Sequence, residues 1–284
     1  MDGMIILVVF ASCLLAQQSD WVAAGNRALD KGSPKEAASD FAQALDAQIR
    51  AEATVKDLLH LRVTLATAYM EAGEYREMEA VLQDAQKTAW QLTDGISRAE
   101  LLNAWSALHL KLGQLAVAEA ELQEARQIVM KQPEPGDLLP TVLHNLAAVE
   151  MRTGRYQEAL SHEQEAMGRL ERKLAPDHPT LIRGWASLAS LQYVMGRPQE
   201  AKTSLDRAIA SAEKTYGGTH LFVADLLDSD AVVLNKLKLK KEARLARTRA
   251  KKIRRSDAPA TAPQPSWNVR EALRPDGAVA LVSK

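Results

Sequence analysis

The sequence predicts an all-α protein that is built as a solenoid of about six helical hairpins. Glycine recurs at intervals of 41, 40, 41 and 42 residues, at Gly32, Gly73, Gly113, Gly154 and Gly196, and Lys238 follows after another 42. Self-similarity at a fixed period is typical of repeat architectures, in which each unit packs on its neighbours. Aromatic residues make up only 5% of the chain, although 46% of it is hydrophobic. This composition favours closely packed helices over a β-sandwich.

Charge and cysteine content exclude several classes of protein and site. The 36 basic and 36 acidic residues give a formal net charge of zero, so no global field attracts the chain to nucleic acid or to a membrane. Cys13 is the only cysteine in the sequence, which excludes an internal disulfide and a metal site built from thiolates. Nothing in the sequence calls for a cofactor.

The amino terminus, residues 1–16, predicts a signal peptide. An apolar run begins at Met4 and continues to Ala16, and it is too short for a spanning helix, which needs about 20 residues. Polar residues follow, and Ala16 is the predicted last residue before cleavage. We therefore expect a periplasmic or secreted protein. Two alternatives stay open: a lipoprotein anchored through Cys13, or a cytoplasmic protein in which this run forms a buried helical cap.

The repeats occupy residues 17–255, and each is expected to fold as a helix, a tight turn and a second helix. The apolar and small residues of the fifth and clearest copy are Trp185, Leu188, Ala189, Ala201, Leu205 and Ala208. Glycine in the turn adopts a positive φ at no steric cost. Small residues let the two helices of a hairpin approach closely, and large residues three or four apart fill the seam between hairpins.

These copies resemble the tetratricopeptide repeat. The residues of the first copy that match the family's pattern are Trp21, Gly25, Gly32, Ala37, Phe41 and Ala44. The resemblance implies a right-handed superhelix with a concave binding face. The period exceeds the family's basic unit of about 34 residues, and the extra residues form connectors such as residues 175–179. These connectors make the chain similar to kinesin-light-chain arrays, which bind peptides in their groove.

Within the connectors, three residues are predicted helix N-caps, namely Asp137, Asp177 and Thr219, and Pro179 is placed in the first turn of the next helix. His178 and His220 follow two of these caps at matching places, so a capping role is expected for them as well. The sequence holds no catalytic motif and no metal signature, and its six histidines are isolated from one another. We therefore expect a protein that is not an enzyme and that binds no metal.

The resemblance also implies which residues line the groove. The candidate peptide-binding residues are Asn26, His60, Thr67, Asn103, His144, Asn145, Arg183, Ser190, Asp225 and Asp228. Amide and basic groups at these places can hydrogen-bond the backbone or the carboxylate of an extended peptide. The chain departs from the family's carboxylate clamp, because Val22 stands where a lysine is expected, and Ala104 and Trp185 interrupt an asparagine ladder. The alternative for each residue is a solvated surface side chain.

A basic segment follows, since residues 236–255 hold eleven lysines and arginines and a single acid, Glu242. It gives an alternative function, an adaptor that binds an anionic polymer (nucleic acid or anionic lipid) through a basic helix. The favoured interpretation is a terminal helix whose polar face keeps the solenoid soluble, because no aromatic residue lies among the charges. Nucleic acid is therefore not the expected partner, and a membrane is expected only if Cys13 is lipidated.

The carboxyl terminus predicts a proline-rich linker at residues 256–266 and a short tail at residues 267–284. The tail is either irregular or a small β-hairpin around the turn at residues 274–277. The whole sequence thus predicts an exported, non-catalytic scaffold, whose partner is another protein or an extended peptide segment.

Overall fold

A computed structural model describes residues 19–29, 32–89, 92, 94–132, 136 and 138–256. Within these residues the fold consists of twelve α-helices and contains no strand. The helices are α1 (19–29), α2 (Pro34–Arg50), α3 (Val55–Ala72), α4 (Tyr75–Ala89), α5 (Gly95–Lys111), α6 (Leu115–Met130), α7 (Leu138–Arg152), α8 (Tyr156–Leu170), α9 (Pro179–Val194), α10 (Pro198–Tyr216), α11 (Leu221–Lys236) and α12 (Lys240–Ser256). They pair in chain order as six hairpins, which confirms the predicted all-α repeat fold.

The predicted signal peptide and tail lie outside the described residues, as does the linker apart from Ser256, which ends α12. In the part of the chain that is described, no helix is both long and apolar enough to cross a membrane.

The residue in each tight turn has a positive φ. The values are 75°, 76°, 78°, 81° and 76° for Gly32, Gly73, Gly113, Gly154 and Gly196. The sixth turn keeps this left-handed conformation without glycine, because Lys238 has a φ of 66°. Side chains other than glycine rarely adopt this conformation, so the geometry of the repeat, and not the residue type, sets the backbone at the sixth turn.

The connectors cap the helices one residue later than the sequence predicted. His178 Nδ1 accepts a hydrogen bond from the Thr180 N–H at 3.2 Å, and His220 caps α11 in the same way. The predicted N-caps Asp177 and Thr219 are therefore wrong, because helices α9 and α11 begin one residue further on. Asp177 instead pairs with Lys214 at 2.6 Å. Asp137 lies outside the described residues, and Pro179 is the first residue of α9, as predicted.

The described residues up to Val142 form one compact unit, which contains α1–α6 and the first residues of α7. Its core is continuous from hairpin to hairpin. Phe41 of α2 is fully buried in a cluster with Leu65 of α3, and Leu82 of α4 is fully buried in a cluster with Leu108 of α5. Phe41 and Leu82 both lie nine residues after a turn. This position therefore packs each second helix against the next hairpin.

The described residues from Leu143 onward form the second compact unit, which contains the rest of α7 and the helices α8–α12. Leu205, nine residues after its turn, is again fully buried and clusters with Val223 and Leu227 of α11. Ala201 and Ala243, five residues after their turns, are buried between the two helices of a hairpin. In the fourth repeat, however, the ninth position holds Glu163, which has 0% of its surface exposed. A carboxylate thus occupies a core position that other repeats give to leucine or phenylalanine.

Candidate ligand-binding surface

The ten predicted ligand residues all lie on the first helices of the hairpins. They occur 13, 10, 9 or 6 residues before the turn, and are carried by α1 (Asn26), α3 (His60, Thr67), α5 (Asn103), α7 (His144, Asn145), α9 (Arg183, Ser190) and α11 (Asp225, Asp228). Where a helix carries two of them, they are three or seven residues apart and share one side of the helix, except His144 and Asn145 of α7, which are adjacent in the chain. The repeat therefore places polar groups on corresponding sides of successive first helices.

In the first unit these polar groups form mostly local contacts. His60 Nδ1 lies 3.9 Å from a carboxylate oxygen of Glu100, and the hydrogen bond to Glu100 raises the pKa of this exposed histidine. The hydroxyl of Thr67 donates to the carbonyl of Val63 at 3.0 Å, within the same helix. Asn26 is exposed, whereas Asn103 is half-buried. This part of the surface offers amide and imidazole groups but no cation from the predicted set.

In the second unit, the key group on α7 is His144, which pairs with the buried Glu163 of α8. The distance between Nδ1 and the nearer carboxylate oxygen is 2.9 Å. Burial of the imidazole acts to lower its pKa, but the charge and hydrogen bond of Glu163 outweigh this effect, and the net result is a raised pKa for His144. His144 is therefore held in place by a buried carboxylate, and its neighbour Asn145 is half-buried.

Arg183 of α9 lies next to this pair. Its positive charge acts to lower the pKa of His144 and so offsets part of the effect of Glu163. The side chain of Arg183 is exposed. The ion pairs of the described residues include none with Arg183. We refer to His144, Asn145 and Arg183 as the α7–α9 polar row. Its chemistry combines a solvated guanidinium, an imidazole that feels its charge, and an amide one residue further along α7, and such groups suit a carboxylate or a peptide backbone.

The remaining predicted residues have partners within the fold. Ser190 is 3% exposed, and its hydroxyl donates to the carbonyl of Ala186 at 3.0 Å. Arg254 of α12 reaches back to α11, where its two terminal nitrogens lie 2.7 Å from Asp225 and 2.6 Å from Asp228. This fork binds both carboxylates and fastens α12 to α11. Sequence spacing did not reveal this contact, because Arg254 lies 26 and 29 residues away along the chain.

Two further histidine–glutamate pairs were missed by the sequence analysis. In the third repeat, His109 of α5 contacts Glu121 of α6 at 2.8 Å; in the fourth, Glu150 of α7 contacts His162 of α8 at 2.8 Å. Both pairs join a residue four positions before the turn to a residue eight positions after it. In the third repeat the histidine lies on the first helix of the hairpin, whereas in the fourth repeat the glutamate does. A histidine and a glutamate 12 residues apart across a turn were the available signal. These pairs lie between the helices of a hairpin, so we interpret them as stabilising contacts.

Comparison with known proteins agrees with this geometry. A family model described as the tetratricopeptide repeat matches residues 97–172 and 138–214. BtubC from P. vanneervenii is 18% identical, with 89% of this chain and 94% of that chain covered, at a TM-score of 0.62. A putative kinesin light chain from Podosopora anserina is 20% identical, with 73% and 99% covered, at a TM-score of 0.56.

The Rap conjugation gene regulator of plasmid pLS20, solved in complex with the Phr* peptide, is also similar. It is 16% identical, with 86% of this chain and 76% of that chain covered, at a TM-score of 0.61. At these identities the likeness to solved structures shows the fold alone. No curated protein sequence matches the chain.

Proposed function

Because this chain is a tetratricopeptide-repeat protein, we propose that it is a non-catalytic scaffold that binds another protein, through an extended segment of that partner. The observation that carries the proposal is Arg183, an exposed guanidinium without an ion-pair partner in the described chain, whose charge acts on His144 of the neighbouring first helix. The regulator of plasmid pLS20 was solved with a peptide bound, and this lends support to a peptide as the ligand.

The α7–α9 polar row suits an extended peptide for a physical reason. A carboxylate that pairs with Arg183 would come from a ligand, since Asp225 and Asp228 of the same predicted set are bound by Arg254. An acidic side chain or a terminal carboxylate can accept two parallel hydrogen bonds from the guanidinium.

The test uses peptides selected from a random library on the immobilised full chain. Their affinities are measured by fluorescence anisotropy for wild type, for Arg183→Gln, and for Arg172→Gln as the control. Arg172 is an exposed arginine in the connector after α8, so both variants lose the same charge. A charge-assisted hydrogen bond contributes about 1.5–3 kcal/mol, which predicts roughly 10- to 100-fold weaker binding for Arg183→Gln alone.

Failure of the library to yield a binder, or equal affinity of the two variants, would remove the α7–α9 polar row from the proposal. Mass spectrometry of the selected peptides after incubation tests the non-catalytic part. Reproducible cleavage or modification of a peptide would make the protein an enzyme.

The state of the histidines supports a non-catalytic role. Four of the six lie against a glutamate, namely His60, His109, His144 and His162, and the other two cap helices. No group of three metal-ligating side chains comes together in the part of the chain that is described. Each of the six imidazoles thus has a partner within the fold that gives it a structural role.

Export is the second part of the proposal, and it rests on the sequence of residues 1–16. We propose that the protein works in the periplasm or outside the cell, after cleavage behind Ala16. The intact mass of the protein from the envelope fraction tests this, because cleavage, lipidation at Cys13 and retention of the full chain give three different masses. Retention of residues 1–16 on a protein found in the cytoplasm would contradict export.

A further inference from the structure

Helix α12 carries one face of seven exposed cations, which we call the α12 basic face. Its members are Lys240, Lys241, Arg244, Arg247, Lys251, Lys252 and Arg255. Among the described residues none of the seven forms an ion pair, whereas the other two arginines of the helix, Arg249 and Arg254, bind carboxylates of α10 and α11. At about 100° and 1.5 Å per residue, the seven side chains span an arc of about 140° and a length of about 22 Å.

The position of this face in the repeat is unsuited to packing against another hairpin. Arg247 lies nine residues after its turn, where Phe41, Leu82 and Leu205 are fully buried against the next hairpin. A cation buried there by a seventh hairpin would lose its water without gaining a counter-charge. The α12 basic face is therefore suited to water or to a charged partner, and not to a further repeat.

Solubility alone does not explain a face of one sign. Helices α2, α4, α8 and α10 reach solubility with mixed charges, since each contains an ion pair between residues three or four apart. On α12 the same spacing joins like charges, such as Lys240 with Arg244 and Arg247 with Lys251, and like charges at this spacing destabilise a helix. A helix that retains such repulsion is expected to gain its counter-charges from a ligand.

The zero net charge of the chain conceals a strong asymmetry. Residues 1–142 hold 20 acidic and 12 basic residues, whereas residues 143–284 hold 16 acidic and 24 basic ones. The two units therefore carry formal charges of −8 and +8. The α12 basic face belongs to the positive unit, so the local field attracts anions although the whole protein is neutral.

We infer that the α12 basic face binds the phosphate backbone of double-stranded nucleic acid, without sequence preference. A duplex carries one phosphate charge per about 1.7 Å of its axis, so cations spread along about 22 Å of α12 meet several phosphates when the helix lies across the backbone. The apolar side of α12, which includes Ala250 and Ile253, is buried in the core of its unit and is not available to enter a bilayer.

The composition of the face defines the mode of binding. It contains no aromatic residue on which a single-stranded base would stack, and its uncharged polar residue, Thr248, donates its hydroxyl to the carbonyl of Arg244. Lysine and arginine contacts to phosphate position a protein on a duplex but do not read its sequence. The expected ligand is therefore a duplex of any sequence.

The test measures binding of the full chain to a short fluorescent DNA duplex as salt is varied. Five to seven phosphate contacts predict a slope of log Kobs against log[salt] of about −4.5 to −6, and a loss of about 10³-fold in affinity between about 50 and 200 mM salt. Neutralising Lys240, Arg244, Arg247 and Lys251 together to glutamine removes four contacts, which leaves a slope of about −1 to −3.

The matched control neutralises four exposed cations outside α12, at Arg27, Arg76, Lys131 and Arg172, and keeps the wild-type slope. Arg249→Gln, on α12 but paired with Glu213, also keeps it, and far-UV circular dichroism verifies that each variant is folded.

Several results would overturn the inference. They are an absence of duplex binding at the lower salt concentration, an equal loss of binding in the control variant, and a strong preference for one duplex sequence. Tighter binding to polyglutamate would reassign the face to an acidic protein. Tighter binding to vesicles of phosphatidylcholine and phosphatidylglycerol would reassign it to a membrane. The peptide assay with Arg183→Gln is independent of all these outcomes.

Discussion

The pair of His144 and Glu163 gives the sharpest prediction about the energetics of the fold. Glu163 is completely buried at a position where other repeats place leucine or phenylalanine, and its carboxylate is bonded by His144 at 2.9 Å. Removing one partner of a buried ion pair costs about 3–5 kcal/mol, whereas replacing both by apolar groups is often neutral or stabilising. We expect His144→Val to lower the free energy of unfolding by about 3 kcal/mol, the lower end of this range, because the imidazole is partly exposed.

The double variant His144→Val/Glu163→Leu restores the pattern of the other repeats, so its stability is expected to lie within about 1 kcal/mol of wild type. The two substitutions are therefore strongly coupled, and a double-mutant cycle that includes Glu163→Leu measures this coupling. Glu165→Gln is the control on the same helix. It breaks the ion pair with Arg169. The side chains of Arg169 and Glu165 are 36% and 40% exposed, and an exposed ion pair contributes about 0–1 kcal/mol to stability.

The assay is urea denaturation followed by far-UV circular dichroism, at about pH 6 and about pH 8.5. The pKa of His144 is raised in the folded chain, so the pair's contribution is complete below the ordinary histidine pKa of about 6.5. It is lost as the pH rises through the folded value. The effect of His144→Val must therefore be smaller at the higher pH. Additive effects in the cycle, or a cost for His144→Val as small as that of Glu165→Gln, would refute the reasoning.

Three further substitutions test the backbone and the last hairpin by thermal denaturation. Gly154→Ala should destabilise the fold by about 1–2 kcal/mol, because its φ is +81° although the space around a Cβ is empty. Gly168→Ala lies inside α8 with equal space around its Cβ and should stabilise the fold by about 0.5–1 kcal/mol. Stability changes of the same sign in the two variants would contradict the argument. Lys238→Gly should stabilise by about 1 kcal/mol, because it relieves the positive φ of the sixth turn; a lower melting temperature would count against it. Arg254→Gln leaves Asp225 and Asp228 of α11 without their ion-pair partner and should lower the free energy of unfolding by about 1–3 kcal/mol. We also expect faster hydrogen exchange in α12. Unchanged exchange would show that this contact does not hold α12 on α11.

The helical hairpins could be read from the sequence because their determinants are local. The turn glycines and the alanines five residues after them recur at a fixed period, and a residue's preference for a turn or for a close helix contact acts within a few residues of it. Even Lys238, which breaks the glycine pattern, takes the expected backbone conformation. The N-caps were misplaced by one residue at His178 and His220, because aspartate, threonine and histidine are all able to cap a helix and spacing alone does not select among them.

The state of the candidate ligand residues was decided only by the tertiary structure. Whether a polar side chain is available depends on which charges the fold brings to it, and those charges come from distant residues. Arg254 occupies Asp225 and Asp228 from another helix, and Glu163 holds His144 across its hairpin. The sequence contained one unused hint, since Glu163 stands in a leucine position. The sequence contained no comparable sign that Arg183 lacks an ion-pair partner, because that depends on which residues the fold pairs around it.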